Sequence, residues 1–292
     1  MKGIILAGGN GTRLSPSTKV ISKQLLPIYD KPMIYYSLSM LMFARIKDVL
    51  LISSPEALPL YRKLLSDGST LGMNIEYKEQ EQPRGLAEAF IIGEYFIGKD
   101  NVCLVLGDNI FFGNGLSAKL VEASQWLNGA TIFAYEVQNP SRYGVVEIDS
   151  SNKAISIEEK PKFPKSKFAI PGIYFYDNSV IEMAKRLKPS DRGELEISDI
   201  NKIYMQRDKL YVIKLGRGIA WLDAGTHESM LDSSTFVSTI QNRQGMMISC
   251  IEEIAYRVGF INKMELQVIA GEYIKNSYGD YLRKIAYEEE EK

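Results

Sequence analysis

The stretch Gly3–Pro27 reads GIILAGGNGTRLSPSTKVISKQLLP, and the other motifs of the chain depend on it. A short apolar strand leads into a glycine-rich turn, and Arg13 and Lys23 follow the turn. Glycines leave backbone N–H groups bare and let a ligand approach closely, so this turn suits an anion. A tight turn beside two solvated cations would share the pattern, but the strand before it and the cations after it favour a triphosphate cradle. The candidate backbone donors are Gly8, Gly9, Gly11 and Thr12.

Two common phosphate-binding loops do not fit this turn. A P-loop requires a Lys-Ser or Lys-Thr pair after its last glycine, and this turn has none. The dinucleotide-binding fingerprint requires a small residue where this chain has Leu14. Its ribose-binding acid would be Asp30, which lies between Pro27 and Pro32 and not at the end of a second strand. A dehydrogenase interpretation therefore fails on both points.

Composition limits the class of protein. The 292 residues are 45% hydrophobic and 24% charged, which is ordinary for one large globular domain or two small ones. A net charge of −1 argues against a nucleic-acid partner. We expect no membrane span and no signal peptide, because no apolar run approaches ~18 residues. Cys103 and Cys250 lie in apolar sequence and favour reduced thiols in the cytoplasm, while the single histidine, His227, argues against a multi-histidine metal site.

The first part of the chain alternates short apolar runs with helical patterns. The predicted strands are Lys2–Ala7, Asp48–Ser53, Asn74–Glu79 and Asn101–Gly107. The predicted helices are Pro32–Ala44, Ala57–Leu65, Leu86–Ile97 and residues 115–127, the last with Trp126. Such alternation predicts βαβ units, and hence an α/β fold with a Rossmann-like, mostly parallel mixed sheet flanked by helices.

From residue 131 the pattern changes to consecutive strand-like runs. These runs are Thr131–Val137, Gly144–Ile148, Ala154–Glu159 and Ile170–Tyr176. We expect a meander that extends the sheet. The last part, Ile251–Tyr287, is helical in pattern, with breaks expected at Gly259, Gly271 and Gly279. We therefore predict an α/β domain over residues 1–248 and a small helical C-terminal segment over residues 249–292 packed on it.

Two aspartates follow predicted strands. Asp108 comes directly after the buried run Val102–Gly107, and Asp223 comes after Ala220–Leu222. Ligands of open α/β sheets bind at the carboxyl ends of strands, so both are candidates for the site; an Asp that caps the next turn is the alternative. Two such carboxylates could share one Mg²⁺, which typically binds one or two carboxylates together with phosphate oxygens and water.

The same motifs carry a resemblance to a known family. The pattern G-G-x-G-T-R-L followed by K-x-x-x-K-Q-L-L-P resembles the signature of the sugar-1-phosphate nucleotidylyltransferases, most of all their thymidylyltransferase branch. The likeness covers nearly the whole chain. It continues through KPMIYYSLSMLM, LGDNIFFG, SRYGVVEID, ISIEEKP, GRGIAWLDAGT and CIEEIAYR.

The resemblance implies a reaction and its partners. A Mg²⁺-dependent enzyme would transfer a thymidylyl group from dTTP to α-D-glucose 1-phosphate, giving dTDP-glucose and pyrophosphate at the first step of dTDP-deoxysugar (L-rhamnose-type) biosynthesis. A uridylyltransferase using UTP, or a thymidylyltransferase for another hexose 1-phosphate, stays open. A catalytically inactive regulatory subunit would be expected to lose catalytic side chains. The candidates for that role are all present: Arg13, Lys23, Asp108 and Asp223.

The resemblance also implies which residues meet the nucleotide and the metal. Asp108 and Asp223 would hold the Mg²⁺, and Gln80 would read the pyrimidine. A side-chain amide both donates and accepts, which matches thymine and uracil alike, although Gln80 would otherwise be taken as a surface residue. This chain has Glu88 where the family frequently has Gln. The full nucleotide set is Gly8, Gly9, Gly11, Thr12, Arg13, Lys23, Gln80, Gly85 and Asp108.

The sugar phosphate is expected to bind a second set of residues. By the resemblance these are Tyr143, Gly144, Glu159, Lys160, Ile170, Gly172 and Tyr174. Alternation along the strand predicts that Glu159 and Lys160 lie on opposite faces, and a Lys at a strand end is usually only solvated. Trp221 fits the wall of this pocket and ordinary core packing equally.

The C-terminal segment carries apolar residues at helical spacing, so it must bury them against the main domain or a neighbouring subunit. It could be a plain packing appendage. CIEEIAYR resembles the long thymidylyltransferases, which implies a homotetramer with a second, inhibitory nucleotide site near subunit contacts. The implied effector residues are Arg217, Ser249, Glu253, Ile254 and Arg257.

Overall fold

The computed structural model describes residues 1–9, 11–125 and 128–288, and within these ranges the central sheet has ten strands. The strands of the fold are β1 (Lys2–Leu6), β2 (Pro27–Ile28), β3 (Lys31–Pro32), β4 (Asp48–Ser53), β5 (Asn74–Glu79), β6 (Val102–Leu106), β7 (Asn109–Gly113), β8 (Ala130–Glu136), β9 (Gly144–Ile148), β10 (Ala154–Glu159), β11 (Phe168–Ala169), β12 (Ile173–Tyr176), β13 (Leu210–Lys214) and β14 (Ile219–Asp223). The helices are α1 (Ile34–Phe43), α2 (Leu58–Leu65), α3 (Glu88–Ile92), α4 (Glu94–Ile97), α5 (Leu116–Gln125), α6 (Val180–Arg186), α7 (Ile197–Gln206), α8 (His227–Gln244), α9 (Ile251–Arg257), α10 (Lys263–Glu272) and α11 (Ser277–Tyr287).

The central sheet is mixed, as the sequence predicts. Its order is β10-β9-β11-β8-β12-β6-β1-β4-β5, and β13 pairs in parallel with β8 beside this path. β6, β1, β4 and β5 run parallel, whereas β12 is antiparallel to both neighbours. The predicted meander is only partly right. β9 and β10 form a hairpin, but β12 returns to lie between β6 and β8, where its wholly buried IYFY sequence is covered on both faces.

Alternate residues of the strands pack against opposite faces of the sheet. On β1, Ile5 belongs to one buried cluster, whereas Ile4 and Leu6 belong to the other. This follows from the two-residue period of a strand. Helices α1, α9, α10 and α11 contribute to the first cluster, and α3, α6 and α7 to the second. Because both faces are covered, the central strands are continuously apolar.

One predicted helix is divided in two. The sequence predicts a single helix over Leu86–Ile97, but α3 ends before Gly93 and α4 begins after it. A side chain at Gly93 would bring a Cβ to 2.9 Å from the Ala89 carbonyl oxygen and from Ile4 Cδ1, so glycine permits close packing onto β1. Trp126, in another predicted helix, lies outside the described residues. No helix in the described part of the chain is both long enough and apolar enough to span a membrane.

Helix α9 packs on α1, and a buried carboxylate links the C-terminal helices to one another. Glu252 on α9 is 3% exposed and accepts hydrogen bonds from the hydroxyls of Tyr273, at 3.0 Å, and Tyr278, at 2.5 Å. The predicted breaks at Gly271 and Gly279 are wrong, since these residues lie within α10 and α11. Gly279 instead permits close approach, because a Cβ there would collide with the Tyr273 carbonyl oxygen.

The packing of this segment predicts a clear stability difference. Leu282→Ala, at a fully buried position, should lower the free energy of unfolding by ~2–5 kcal/mol, because it leaves a cavity beneath α11. Val268→Ala, at a position 69% exposed on α10, is the control and should change it by less than about 0.5 kcal/mol. Chemical denaturation measures both values. Equal stability of the two variants would show that the segment is not packed on the domain.

Candidate functional site

The glycine turn lies at the carboxyl ends of the parallel strands. The N–H of Ala7 donates to the Ile52 carbonyl of β4, and the N–H of Gly107 donates to the Leu6 carbonyl, at 2.8 and 2.9 Å. Gly11 has a φ of 56°, and its carbonyl accepts a hydrogen bond from Thr18 Oγ1 at 2.8 Å. A Cβ at Gly11 would lie 2.8 Å from Thr18 Cγ2, so the turn closes only around glycine.

Lys23 and Asp108 form an ion pair at this edge of the sheet. Lys23 Nζ lies 2.6 Å from Asp108 Oδ2, and Lys23 is 7% exposed. Burial disfavours the charged form of Asp108, but the charge of Lys23 outweighs it and lowers the pKa of the carboxyl. The Asp108 carboxyl is therefore ionised at neutral pH.

Asp223 reaches the same place from a different part of the chain. β14 pairs antiparallel with β7 so that Asp223 lies opposite Asn109, directly after Asp108. Burial and then the charge of Asp108 raise the pKa of the Asp223 carboxyl, although Lys23, Arg142 and Arg13 act in the opposite direction. Two carboxylates that repel each other at one site suit a shared divalent cation.

The metal would draw on few protein ligands. Within residues 1–9, 11–125 and 128–288 there is no group of three or more His, Cys, Asp or Glu side chains that could hold a metal ion. A cation bound between Asp108 and Asp223 would therefore take its remaining ligands from phosphate oxygens and water.

A cleft of about 380 Å³ opens beside the glycine turn. Of the predicted nucleotide residues, Gly9, Lys23 and Gln80 line it. Gln80 is 6% exposed and is therefore not a surface residue. Gly85 does not line this cleft. Its φ is 108°, and a Cβ there would lie 2.5 Å from the backbone nitrogen and oxygen of Leu195, so glycine is needed for the close approach of the two backbones.

A second cleft, of about 430 Å³, contains the whole predicted sugar-phosphate set. Its lining includes Tyr143, Gly144, Glu159, Lys160, Ile170, Gly172 and Tyr174, together with Arg13, Asp108 and Asp223. Lys23 lines the first cleft and Asp108 the second, so their ion pair lies where the two clefts adjoin. Substrates bound in the two clefts would therefore meet at this pair.

Glu159 and Lys160 line the same cleft, contrary to the alternation predicted for them. β10 ends at Glu159, and Lys160 adopts a left-handed backbone with φ 42°, which turns the chain out of the strand. Burial raises the pKa of the Glu159 carboxyl, while a hydrogen bond from Ser198 Oγ at 2.9 Å and the cations Lys160 and Arg192 oppose this. Arg192 approaches Glu159 to 3.6 Å.

Sequence reasoning missed several polar residues of the site. Arg142, next to the predicted Tyr143, lies 3.4 Å from Asp223, and its place in the SRYG motif was a usable signal. Asn109 donates to Asp108 Oδ1 at 2.9 Å and accepts from Trp221 Nε1 at 2.6 Å and from the N–H of Gly172 at 3.1 Å. Trp221, which is 9% exposed and lines the sugar cleft, is thus both core and pocket wall.

The predicted effector residues divide between two places. Ser249, Glu253, Ile254 and Arg257 line a cavity of about 530 Å³. Its walls also include Phe111, Phe112, Met246, Met247 and Ile248. Arg257 Nε donates to Glu253 Oε1 at 2.6 Å, and Tyr281 donates to the other oxygen at 2.6 Å. Arg217 instead lines a different cleft, with Lys167 and Lys214.

Comparison with known proteins shows the family of the chain. A family model described as nucleotidyl transferase matches residues 2–240. A glucose-1-phosphate thymidylyltransferase of Neisseria meningitidis serogroup A is 57% identical over 285 residues, covering 98% of this chain and 99% of that protein. The glucose-1-phosphate thymidylyltransferase of Mycolicibacterium smegmatis is 55% identical over 285 residues, with coverage of 98% and 99%.

Solved structures share the fold. A Bacillus anthracis protein named as a glucose-1-phosphate thymidylyltransferase, in complex with sucrose, superposes with a TM-score of 0.75 at 42% identity, over 81% of this chain and 94% of that one. A UDP-glucose pyrophosphorylase complexed with UDP-glucose gives a TM-score of 0.72 at 24% identity, over 82% and 98%, a likeness that concerns the fold alone. The match of the family model and the extent of these similarities lead to one conclusion: the chain belongs to the nucleotidyl transferase family and is a nucleotidyltransferase, as its motifs predict.

Proposed function

We propose that the enzyme transfers a thymidylyl group from dTTP to α-D-glucose 1-phosphate, giving dTDP-glucose and pyrophosphate. The observation that carries this proposal is the pair of clefts that adjoin at Lys23 and Asp108. One cleft offers Gln80 for a pyrimidine, and the other offers Glu159 and Lys160 for a sugar phosphate. The relatives from Neisseria and Mycolicibacterium carry the name of this activity.

The chemistry requires little from the protein beyond placement and charge. A phosphate oxygen of glucose 1-phosphate attacks the α-phosphorus of dTTP, and pyrophosphate leaves in line with the attack. The nucleophile is already an anion, so no general base has to remove a proton. Arg13, Lys23 and Lys160 reduce the repulsion between the two phosphate-bearing substrates and hold them for attack.

Asp108 and Asp223 would hold the Mg²⁺ in this proposal. When bound, the ion neutralises phosphate charge and polarises the phosphorus under attack. The side-chain amide nitrogen of Asn109 donates a hydrogen bond to Asp108 Oδ1, and Arg142 pairs with Asp223. Both carboxylates are therefore oriented by neighbouring side chains. Burial and the charge of Asp108 raise the pKa of Asp223, and a bound cation would favour its ionised form.

The base, the pathway and the cellular setting are proposed from further observations. Gln80 suits uracil as well as thymine, so UTP is a possible donor alongside dTTP. The placement at the first step of dTDP-deoxysugar biosynthesis of the L-rhamnose type rests on family resemblance. A cytoplasmic setting is supported by Cys103 and Cys250, which are both buried free thiols.

The metal assignment predicts loss of activity on neutralising either carboxylate. Asp108→Asn and Asp223→Asn should each abolish pyrophosphate release from dTTP and glucose 1-phosphate, as should EDTA, because the cation would lose its protein ligands. Asp48→Asn, at the start of β4 and so at the opposite edge of the sheet, is the matched control and should retain activity. Near-normal turnover by Asp223→Asn, or full turnover in EDTA, would exclude this assignment.

Removing each cation should affect one of the two substrates more than the other. Arg13→Ala and Lys23→Ala should lower kcat by ~10²-fold each, because they stabilise charge that develops on the triphosphate side. Lys160→Ala should chiefly raise the KM for glucose 1-phosphate. Lys162→Ala, an exposed residue of the same loop, is its control. Steady-state kinetics with each substrate varied in turn measures kcat and both KM values. Unchanged glucose 1-phosphate affinity in Lys160→Ala would remove that residue from the sugar site.

We also propose that the enzyme is a homotetramer inhibited by dTDP-L-rhamnose or a related sugar nucleotide. The support is the 530 Å³ cavity between α9 and β7, where apolar walls meet the charged pair Glu253 and Arg257. A guanidinium is suited to a diphosphate. Because Arg217 lines a different cleft of the same chain, it would reach an effector across a subunit contact.

This proposal predicts that inhibition can be separated from catalysis. Arg257→Ala should relieve inhibition by dTDP-L-rhamnose while kcat stays within about threefold, because coupling between sites is typically only ~1–3 kcal/mol. Arg243→Ala, an exposed residue near the end of α8, serves as control. Light scattering gives the oligomeric state. Inhibition that stays strictly competitive with dTTP and unaltered in Arg257→Ala would mean that the cavity is not an effector site.

A further inference from the structure

The side-chain amide of Gln80 is held in one orientation by a neighbouring carboxylate. Gln80 Nε2 donates to Glu88 Oε2 at 2.8 Å, and Gln80 is 6% exposed. A carboxylate offers only acceptor oxygens, so the amino half of the amide must face it. Rotating the amide by half a turn would place two acceptors against each other and leave a buried amino group without this bond, which is costly.

The other half of the amide faces the glycine turn. A Cβ at Gly8 would collide with Gln80 Oε1, so the amide oxygen lies directly beside this glycine. Gln80 and Gly9 line the 380 Å³ cleft, whereas Glu88 lies behind Gln80, outside the lining of that cleft. Glu88 therefore orients the amide without occupying the space for a ligand.

Glu88 is itself fixed in place. It is the first residue of α3, which is anchored by the buried residues Ala89 and Phe90. The backbone N–H of Arg84 approaches the same oxygen, Glu88 Oε2, at 3.4 Å. The acceptor that meets Gln80 is thus carried by a helix with two buried residues and lies within reach of a loop N–H.

The orientation of this amide decides which pyrimidine it can pair with. Thymine and uracil present an N3–H donor beside a carbonyl at C4, whereas cytosine presents an N3 acceptor beside an amino group. An amide with its oxygen toward N3 pairs with the first two, and the rotated amide pairs with cytosine. A freely rotating glutamine would therefore accept all three bases.

We propose that Glu88 is a specificity-determining positioning residue: it holds the Gln80 amide with its oxygen toward the base and so selects thymine or uracil against cytosine. This rests on the proposed function, in which Gln80 faces the nucleotide base. Glu88 does not touch the base in this account. It acts through Gln80 alone.

The test compares dTTP with dCTP as donors to glucose 1-phosphate. In Glu88→Leu the dTTP-to-dCTP ratio of kcat/KM should fall by about tenfold, the effect of losing one hydrogen bond of ordinary strength. In Glu88→Gln the ratio should fall by less than in Glu88→Leu, because the introduced amide can still present an oxygen to the N–H groups of Gln80 and Arg84, although it can also rotate to present its amino group. Glu79→Leu, an exposed residue at the end of β5, controls for loss of an acidic side chain nearby.

Calorimetric binding of dTDP and dCDP gives a second readout without turnover. The same order of selectivity is expected there, and Glu88→Ala provides the comparison should Glu88→Leu fail to fold. A Glu88→Leu enzyme that loses both nucleotides equally would reduce Glu88 to a structural residue and overturn the inference. Equal losses in Glu88→Leu and Glu88→Gln would do the same, since charge rather than acceptor geometry would then be responsible.

The inference and the proposed function fail in different ways. If the unchanged enzyme does not use dTTP, the proposed function is wrong. If it uses dTTP with glucose 1-phosphate and the selectivity of Glu88→Leu is unaltered, the proposed function stands and only the role of Glu88 is wrong.

Discussion

The parallel pairing of β1 with β6 is the constraint on which the site depends. Its register places Leu6 beside Leu106, and Gly107 N donates to the Leu6 carbonyl at 2.9 Å. The glycine turn after β1 and Asp108 after β6 therefore leave the sheet side by side. Lys23 returns to this edge and pairs with Asp108 at 2.6 Å. Since parallel strands end at one edge, β4 and β5 deliver their own carboxyl-terminal residues to the same place.

The two-stranded β7–β14 ribbon extends from the sugar cleft to the 530 Å³ cavity. At one end Asn109 lies opposite Asp223, and at the other Gly113 lies opposite Ile219. The first end borders the sugar cleft, and Gly113 lines the 530 Å³ cavity. One hydrogen-bonded element thus connects that cavity with both carboxylates. Such a shared element is what coupling between the proposed effector site and the catalytic site would require.

Charge pairing explains how a chain with a net charge of −1 can suit two anionic substrates. The cations at the clefts are held against carboxylates: Lys23 against Asp108, Arg142 against Asp223, and Arg192 against Glu159 and Glu196. Lys23 is buried, and a buried charge is tolerated only when it is paired; Arg142 and Arg192 are partly exposed and are oriented by their carboxylates. The overall composition conceals this arrangement, because it is local.

The sequence by itself determined the α/β fold, the glycine turn and the two strand-end aspartates, whereas the residues of the sugar cleft were implied by family resemblance. The first three follow from local properties: the strand and helix periods, the backbone freedom of glycine, and motifs that stand close together in the chain. Only the tertiary structure decided that β12 lies between β6 and β8, that Lys160 lines the same cleft as Glu159, and that Arg217 lies away from the other residues predicted to bind an effector. It also showed that Arg192 lies beside Glu159 and that Glu88 orients the Gln80 amide. These features depend on contacts between residues distant in the chain or on a single backbone angle, and neither leaves a periodic signal in the sequence.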